Sequence, residues 1–195
     1  MERSDVDIIV VGAGHAGCEA ALAPARMGLS VWLYTLNVDT IGLMPCNPSV
    51  GGLGKGHLVK EIDALGGEMG RAADASCIQY KILGTSKGPA VQGSRMQCDR
   101  LDYSLAVREA VEHEPMLSVR QEMVDGLIVR SGRCCGIRER SGYEVTARAV
   151  ILATGTFLDG VVHVGDVSYA AGRTGEFAAL KLAAQLKELN LPWGR

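Results

Sequence analysis

Apolar and polar positions along the chain fall into blocks whose period changes from strand-like to helix-like and back. Residues 6–11 (Val-Asp-Ile-Ile-Val-Val) are a short apolar run of the kind expected of a strand buried on both faces, and they lead directly into Gly12-Ala13-Gly14-His15-Ala16-Gly17. An alanine-rich helix is predicted over 18–27, with Gly28 as its C-terminal cap and a second buried strand over 29–34. Pro24 falls inside that helix, where the missing donor costs about 3 kcal/mol or bends the segment. Segment 37–56 is rich in glycine and proline and almost without period, which marks a functional loop. Leu58, Ile62 and Leu65 share one face of an amphipathic helix predicted over 57–65 and ended by Gly66-Gly67. A strand is predicted over 77–83, a loop over 84–93, and a helix over 96–113 that Pro115 stops. The β-like runs 117–122, 124–130 and 134–139, with turn signals at Asp125-Gly126, Ser131-Gly132 and Ser141-Gly142, predict an antiparallel meander. A buried strand over 148–153 ends in Thr154-Gly155-Thr156, and Thr174 is the predicted cap of a last helix reaching 189.

Composition narrows the classes. With 195 residues, 47% hydrophobic and 22% charged, the chain suffices for one ordinary domain and is neither disordered nor fibrous. Twenty-five glycines beside two phenylalanines suit tight turns and small-residue contacts better than a β-sandwich built on aromatic pairs. A formal charge of −2 leaves no global basic field, so any RNA contact must be local. Six cysteines without a C-x-x-C spacing suggest neither a zinc site nor a disulfide framework, and no metal is expected. The start, Met1-Glu2-Arg3-Ser4-Asp5, lacks a signal-peptide pattern, and no run approaches the ~20 apolar residues of a membrane span; a soluble, cytoplasmic protein without membrane contact is expected.

The chemistry concentrates in a few places. A strand, then G-x-G-x-x-G, then a helix is the dinucleotide fingerprint: Gly12 permits the tight turn, Gly14 lets the backbone approach a pyrophosphate, and Gly17 lets helix and strand pack closely. The acidic residue that normally grips a ribose about twenty residues on is missing, because Tyr34-Thr35-Leu36-Asn37 stands there. Gly51-Gly52-Leu53-Gly54-Lys55-Gly56 is not a triphosphate loop, since Ser49 replaces the first glycine and Gly56 the magnesium-binding hydroxyl. Its glycines are expected to let the backbone pass under a flat ligand, with Lys55 either solvated or an anion contact. Cys46, between Pro45 and Asn47-Pro48, is a candidate functional thiol, with Lys55 and His57 as cations that would favour its thiolate. Cys18, Cys77 and Cys98 read as small buried hydrophobes, and Cys134-Cys135 as strand packing. His15 is either a cofactor contact or a helix-start filler; His57, His113 and His163 have no partners at metal spacing. Ser86-Lys87-Gly88-Pro89 and the charged run 95–100 read as a solvated face.

Taken together, GAGHAG from Gly12, CNPS from Cys46, GKGHLVKEIDALGG from Gly54, SKGPAV from Ser86, the run 95–100 and GTFLDG from Gly155 resemble the GidA (MnmG) family of tRNA uridine modification enzymes along almost the whole chain. The resemblance implies an α/β, FAD-binding Rossmann-like domain of the glutathione-reductase type in three layers, with a mostly parallel central sheet, helices on one face and an antiparallel β-meander on the other. It implies an FAD enzyme that, with a GTPase partner, places an aminomethyl or carboxymethylaminomethyl group on carbon 5 of the wobble uridine of certain tRNAs. Methylenetetrahydrofolate would supply the carbon, glycine or ammonia the nitrogen, and NADH the reducing equivalents; a homodimer is implied as well. Carried over by position, Gly12, Ala13, Gly14, His15, Ala16 and Gly17 would cradle the FAD pyrophosphate, Val124 would meet the adenine through its backbone, Thr154-Gly155 would turn beside the FAD, Ala179 would add a further contact, and Cys46 is the cysteine near the flavin.

The sequence departs from the family at Gln92, where an arginine is usual, at Ala171, where a glycine is usual, and at Pro24. Family members run to several hundred residues, so residues 1–195 are expected to be the FAD/NAD(P)-binding, amino-terminal part of a longer multidomain enzyme, inactive alone. Two other readings differ in what they predict. A folate- and FAD-dependent tRNA uridine methyltransferase shares the glycine fingerprint but not CNPS or SKGPAV, and its tRNA product would differ. A non-catalytic nucleotide-binding or docking module need carry no flavin.

Overall fold

The computed structural model describes residues 5–191; positions 1–4, part of the start read for a targeting signal, and 192–195, where the chain ends, lie outside the described residues. β1 (Val6–Val11) occupies the predicted positions and sits mid-sheet, paired in parallel with β2 (Val31–Thr35) on one side. Its side chains alternate between two cores. Ile8 and Val10 face α1 (His15–Arg26), while Ile9 and Val11 face the opposite layer with Tyr34, Leu127, Ile137 and Leu182. Burial on both faces is why residues 8–11 of this strand read as an unbroken apolar run. Pro24 is tolerated because it falls in the last turn of α1, where its carbonyl accepts from Met27 and Leu29 as the chain leaves the helix.

Next in order are β3 (Ser49–Gly51), α2 (Lys55–Ala64), α3 (Met69–Ala75), β4 (Cys77–Leu83), β5 (Gly93–Cys98), α4 (Arg100–Glu112), β6 (Leu117–Gln121), β7 (Val124–Arg130), β8 (Arg133–Glu139), β9 (Glu144–Leu152), β10 (Val161–Val164), β11 (Val167–Ala170) and α5 (Leu180–Glu188). The main sheet has the order β6-β2-β1-β9-β8-β7. β9 does two jobs: its first residues pair antiparallel with β8, and from Ala147 to Leu152 it runs parallel to β1. The result is the three-layer α/β arrangement, with α1 and α4 on one face and the meander with α5 on the other. A smaller antiparallel sheet, β3-β5-β4, stands beside α2 and α3.

Several expectations are corrected. The run at 117–122 does not belong to the meander; β6 pairs in parallel with β2 from Val31↔Leu117 to Thr35↔Gln121, and the meander is β7-β8-β9. Asp125-Gly126 is no turn but a bulge inside β7, where buried Asp125 accepts from Lys181 Nζ at 2.8 Å. Residues 93–98 form a strand, and α4 begins only after Asp99, whose side chain caps it by accepting from the Leu101 and Asp102 amides at 2.9 and 3.0 Å. Thr174 caps nothing; α5 starts after Ala179 without a side-chain cap. The loop at 37–56 contains a 3-10 turn and β3, α3 lies where no helix was predicted, and β10 and β11 form a hairpin outside the main sheet. Leu58 and Leu65, placed together on the apolar face of the helix after the glycine loop, are 60% and 90% exposed. Cys77 is exposed rather than buried. Among the described residues no helix is long and apolar enough to cross a membrane.

Candidate dinucleotide site

β1 must hand over to α1 within three residues, and the glycines there have different reasons to be glycine. Gly12 has φ +106°, and a Cβ on it would lie 2.4 Å from the Ala153 carbonyl oxygen at the end of β9. A Cβ on Gly17 would lie 1.6 Å from the Gly12 carbonyl oxygen. Both are demanded by the packing of strand, turn and helix. Gly14 is not: a Cβ there meets nothing within 4 Å. Gly14 is also the residue before α1, so no side chain caps the helix, and no acidic residue lies in its first turn. The first amides of α1 are therefore left without a side-chain cap or an acidic neighbour in the first turn, at the positive end of the helix, an arrangement that suits a phosphate.

A cavity of about 230 Å³ opens before this turn. Gly12, Ala13, Gly14, His15, Val124, Thr154, Gly155 and Ala179 all line it, although they come from four separate stretches of chain. Ala16 and Gly17 sit behind it in α1, and Cys46 lies just outside, exposed, beside Pro45, which forms part of the wall. Ala179 is fixed there because its amide donates to the Phe157 carbonyl at 2.8 Å. The residues present fit a dinucleotide: bare amides and free space for a diphosphate, and walls such as Val11, Leu36, Leu43, Met123 and Leu182 for flat rings.

The thiol loop is held from two sides. The Gly42 amide donates to the Ala13 carbonyl at 3.0 Å, which ties the loop to the glycine turn. Ser104 Oγ donates to the Ile41 carbonyl at 2.7 Å, an Arg100 guanidinium nitrogen to the Cys46 carbonyl at 3.0 Å, and the Cys98 amide to the Pro48 carbonyl at 2.8 Å. The junction between β5 and α4 thus sets where Cys46 stands. His15 lies half-buried against Tyr103, ring centroids 5.5 Å apart. Burial pushes its pKa below the usual value, and the Lys55 charge adds to the effect. Two glycines of the 51–56 loop are demanded by the fold, since a Cβ on Gly51 or Gly56 would come within 2.2 or 2.9 Å of the Ser94 carbonyl oxygen, whereas a Cβ on Gly52 or Gly54 would meet nothing within 4 Å. Cys18 is the buried hydrophobe expected, with burial pushing its thiol up to about 12.

The pattern did not reveal Glu122. Thr35 and Asn37, where an acid is usual, satisfy their own loop: Thr35 Oγ1 donates to the Asn37 carbonyl at 3.1 Å, and Asn37 Oδ1 accepts from the Asp39 amide at 2.9 Å. Glu122, just past β6, lines the same cavity because β6 pairs in register with β2 and the Glu122 amide donates to the Thr35 carbonyl at 3.0 Å, and one of its carboxylate oxygens accepts from the Met123 amide at 2.7 Å. Only the parallel pairing of strands 80 or more residues apart in sequence could have found it. Arg173 and Glu176, also on the wall, form an ion pair, with the Arg173 guanidinium 5.0 Å from the centre of the Phe157 ring.

Comparison with known proteins gives concordant matches. Residues 7–195 match the family described as glucose inhibited division protein A. The tRNA uridine 5-carboxymethylaminomethyl modification enzyme MnmG of Geobacter sulfurreducens is 53% identical over 189 residues, 97% of this chain and 30% of the relative. The enzyme of the same name from Desulfotalea psychrophila is 55% identical over 192 residues, 98% of this chain and 30% of the relative. The chain thus spans about 30% of the length of these curated relatives. Aquifex aeolicus GidA superposes with a TM-score of 0.92 at 45% identity, over 97% of this chain and 31% of that one. The GidA-related protein of Thermus thermophilus, 22% identical, shares the fold with a TM-score of 0.65 over 94% of this chain and 68% of its own.

Proposed function

The chain belongs to the glucose inhibited division protein A family, and from that membership we propose that residues 1–195 form the FAD-binding domain of an enzyme that modifies carbon 5 of the wobble uridine in tRNA with an aminomethyl or carboxymethylaminomethyl group. The observation that carries the reading is the open space at Gly14, in front of the uncapped first turn of α1. The backbone of Gly12, Ala13, Gly14, His15, Ala16 and Gly17 would hold the FAD diphosphate, Val124 the adenine, and Thr154, Gly155 and Ala179 the remaining edge, with the Glu122 carboxylate taking the ribose hydroxyls that Thr35 and Asn37 leave unserved. NADH, methylenetetrahydrofolate, a GTPase partner, a homodimer and a cytoplasmic location complete the proposal on the ground of family membership.

Cys46 fits the demand of the substrate. Carbon 5 of uracil is a poor nucleophile until a group adds to carbon 6 and generates an enolate, and a thiolate is the side chain best suited to that addition. An exposed thiol beside the cavity, on a loop pinned by Arg100, Ser104 and the Cys98 amide, can meet a pyrimidine presented from solvent. FAD, when bound, supplies the hydride and iminium redox chemistry that no side chain performs. The test is Cys46→Ser in the enzyme assayed with tRNA, NADH, methylenetetrahydrofolate and the GTPase. Nucleoside mass spectrometry should show loss of the modified uridine while flavin remains bound. Modified uridine at the wild-type level would remove Cys46 from the mechanism.

A further inference from the structure

Cys77 and Cys98 face one another across the β4–β5 ladder, at a point where the register bulges between Cys77 and Gln79. The Asp99 amide donates to the Ser76 carbonyl at 2.8 Å, while the Cys98 amide turns away from β4 to the Pro48 carbonyl, also at 2.8 Å. This bonding makes Cys77 and Cys98 a non-hydrogen-bonded antiparallel pair, the kind whose Cα atoms stand about 4.5 Å apart with side chains closest. Disulfides span Cα separations of about 4.4–6.8 Å. We propose that Cys77 and Cys98 are a redox modification site, a dithiol that closes into a cross-strand disulfide by exchange with a small disulfide of the glutathione class.

Burial divides the two roles. Cys77 is exposed, whereas Cys98 is 1% exposed with its Sγ 3.8 Å from the Ala73 carbonyl oxygen. Burial, with Cys77 adding to it, raises the pKa of the Cys98 thiol. Cys77 is therefore the thiol that meets the reagent. Its thiolate attacks one sulfur of glutathione disulfide, that S–S bond breaks, and one glutathione leaves as thiolate. Cys98 then loses its proton and attacks Cys77 Sγ, which displaces the second glutathione. The protein gives up two electrons and two protons, and one glutathione disulfide becomes two glutathiones. The other cysteines offer no such cross-strand pair: Cys134 and Cys135 are successive residues of the same strand, β8, and Cys18 is buried in α1.

The position gives the bond a consequence. Cys98 ends β5 immediately before Asp99, the cap of α4, and α4 carries Arg100 and Ser104, which hold the loop bearing Cys46. Closure staples the edge strand β4 to that junction. The experiment equilibrates the chain in buffers of glutathione and glutathione disulfide, quenches with acid and alkylates, then maps the peptides by mass spectrometry. The expected result is a cross-linked pair joining Cys77 to Cys98 and a thermal midpoint raised on the order of 5–10 °C in the oxidised chain. Both effects should vanish in Cys77→Ser, which folds normally because Cys77 is exposed. Glutathione on Cys77 with Cys98 still free, a cross-link from Cys77 to Cys46, or Cys98 fully reduced in the most oxidising buffer would each overturn the assignment.

Discussion

Three glycines in six residues carry different loads, and single substitutions separate them. Gly12→Ala meets the left-handed region at φ +106° and the Ala153 carbonyl at 2.4 Å, so it should destabilise the chain by about 2 kcal/mol or more in urea unfolding. Gly17→Ala, overlapping the Gly12 carbonyl oxygen at 1.6 Å, should do at least as much. Gly14→Ala has space and an ordinary φ of −74°, so its cost should stay within about 1 kcal/mol. The fingerprint was legible because spacing and chain context both point to it; which glycine serves the fold and which serves a ligand was not, since that depends on β9 arriving beside the turn from more than a hundred residues away. The same long-range pairing hides Glu122. Glu122→Gln should leave the unfolding midpoint unchanged and weaken flavin binding several-fold in a fluorescence titration; an unchanged affinity would place the ribose elsewhere.

At the scale of elements, the parallel strands are tied at their starts by Asp7. Its carboxylate accepts from the Ser30 amide at 2.9 Å, from Ser30 Oγ at 2.8 Å and from Arg148 at 2.9 Å, joining β1 to the residue before β2 and to β9. Those bonds, the Ser30 amide first, hold its pKa down to about 2 against 3.8 unfolded. A depressed carboxylate binds its proton more readily when the chain unfolds, so the stabilisation is complete above pH 3.8 and is lost as pH falls through about 2. In Asp7→Asn, thermal unfolding should lose part of its pH dependence in that window, with little change in slope near neutrality. Strands β1 and β4 were read at their true limits, because each is bounded by glycine or by a change of period. The apolar stripe of α2 was misleading: Leu58 and Leu65 recur at helical spacing, yet the helix rests on β3 and β5 through Gly56 and Val59. Leu65→Glu, at a position 90% exposed, should change stability by no more than about 0.5 kcal/mol in urea unfolding.

Over the whole molecule, the cavity lies at the carboxyl ends of β1, β2 and β9, lined by residues of both cores, Ala13 from one and Val11, Tyr34 and Leu182 from the other. Open α/β sheets bind ligands there because strand ends release loops that converge without competing for the core. The architecture followed from the resemblance and from the alternation of apolar runs, whereas the place of β6 beside β2 and the second sheet of β3, β5 and β4 required pairings that no local pattern records. The central claim is that the turn at Gly14 is shaped for the diphosphate of FAD. Its most direct measurement is a flavin titration of the wild-type chain beside Gly14→Ala, read by fluorescence and paired with the unfolding midpoint of each. The account predicts saturable flavin binding to the wild type, an affinity at least about tenfold weaker in the variant, and unfolding free energies that agree within about 1 kcal/mol. Equal affinity in the two proteins, or no flavin bound by either while both are folded, would contradict it.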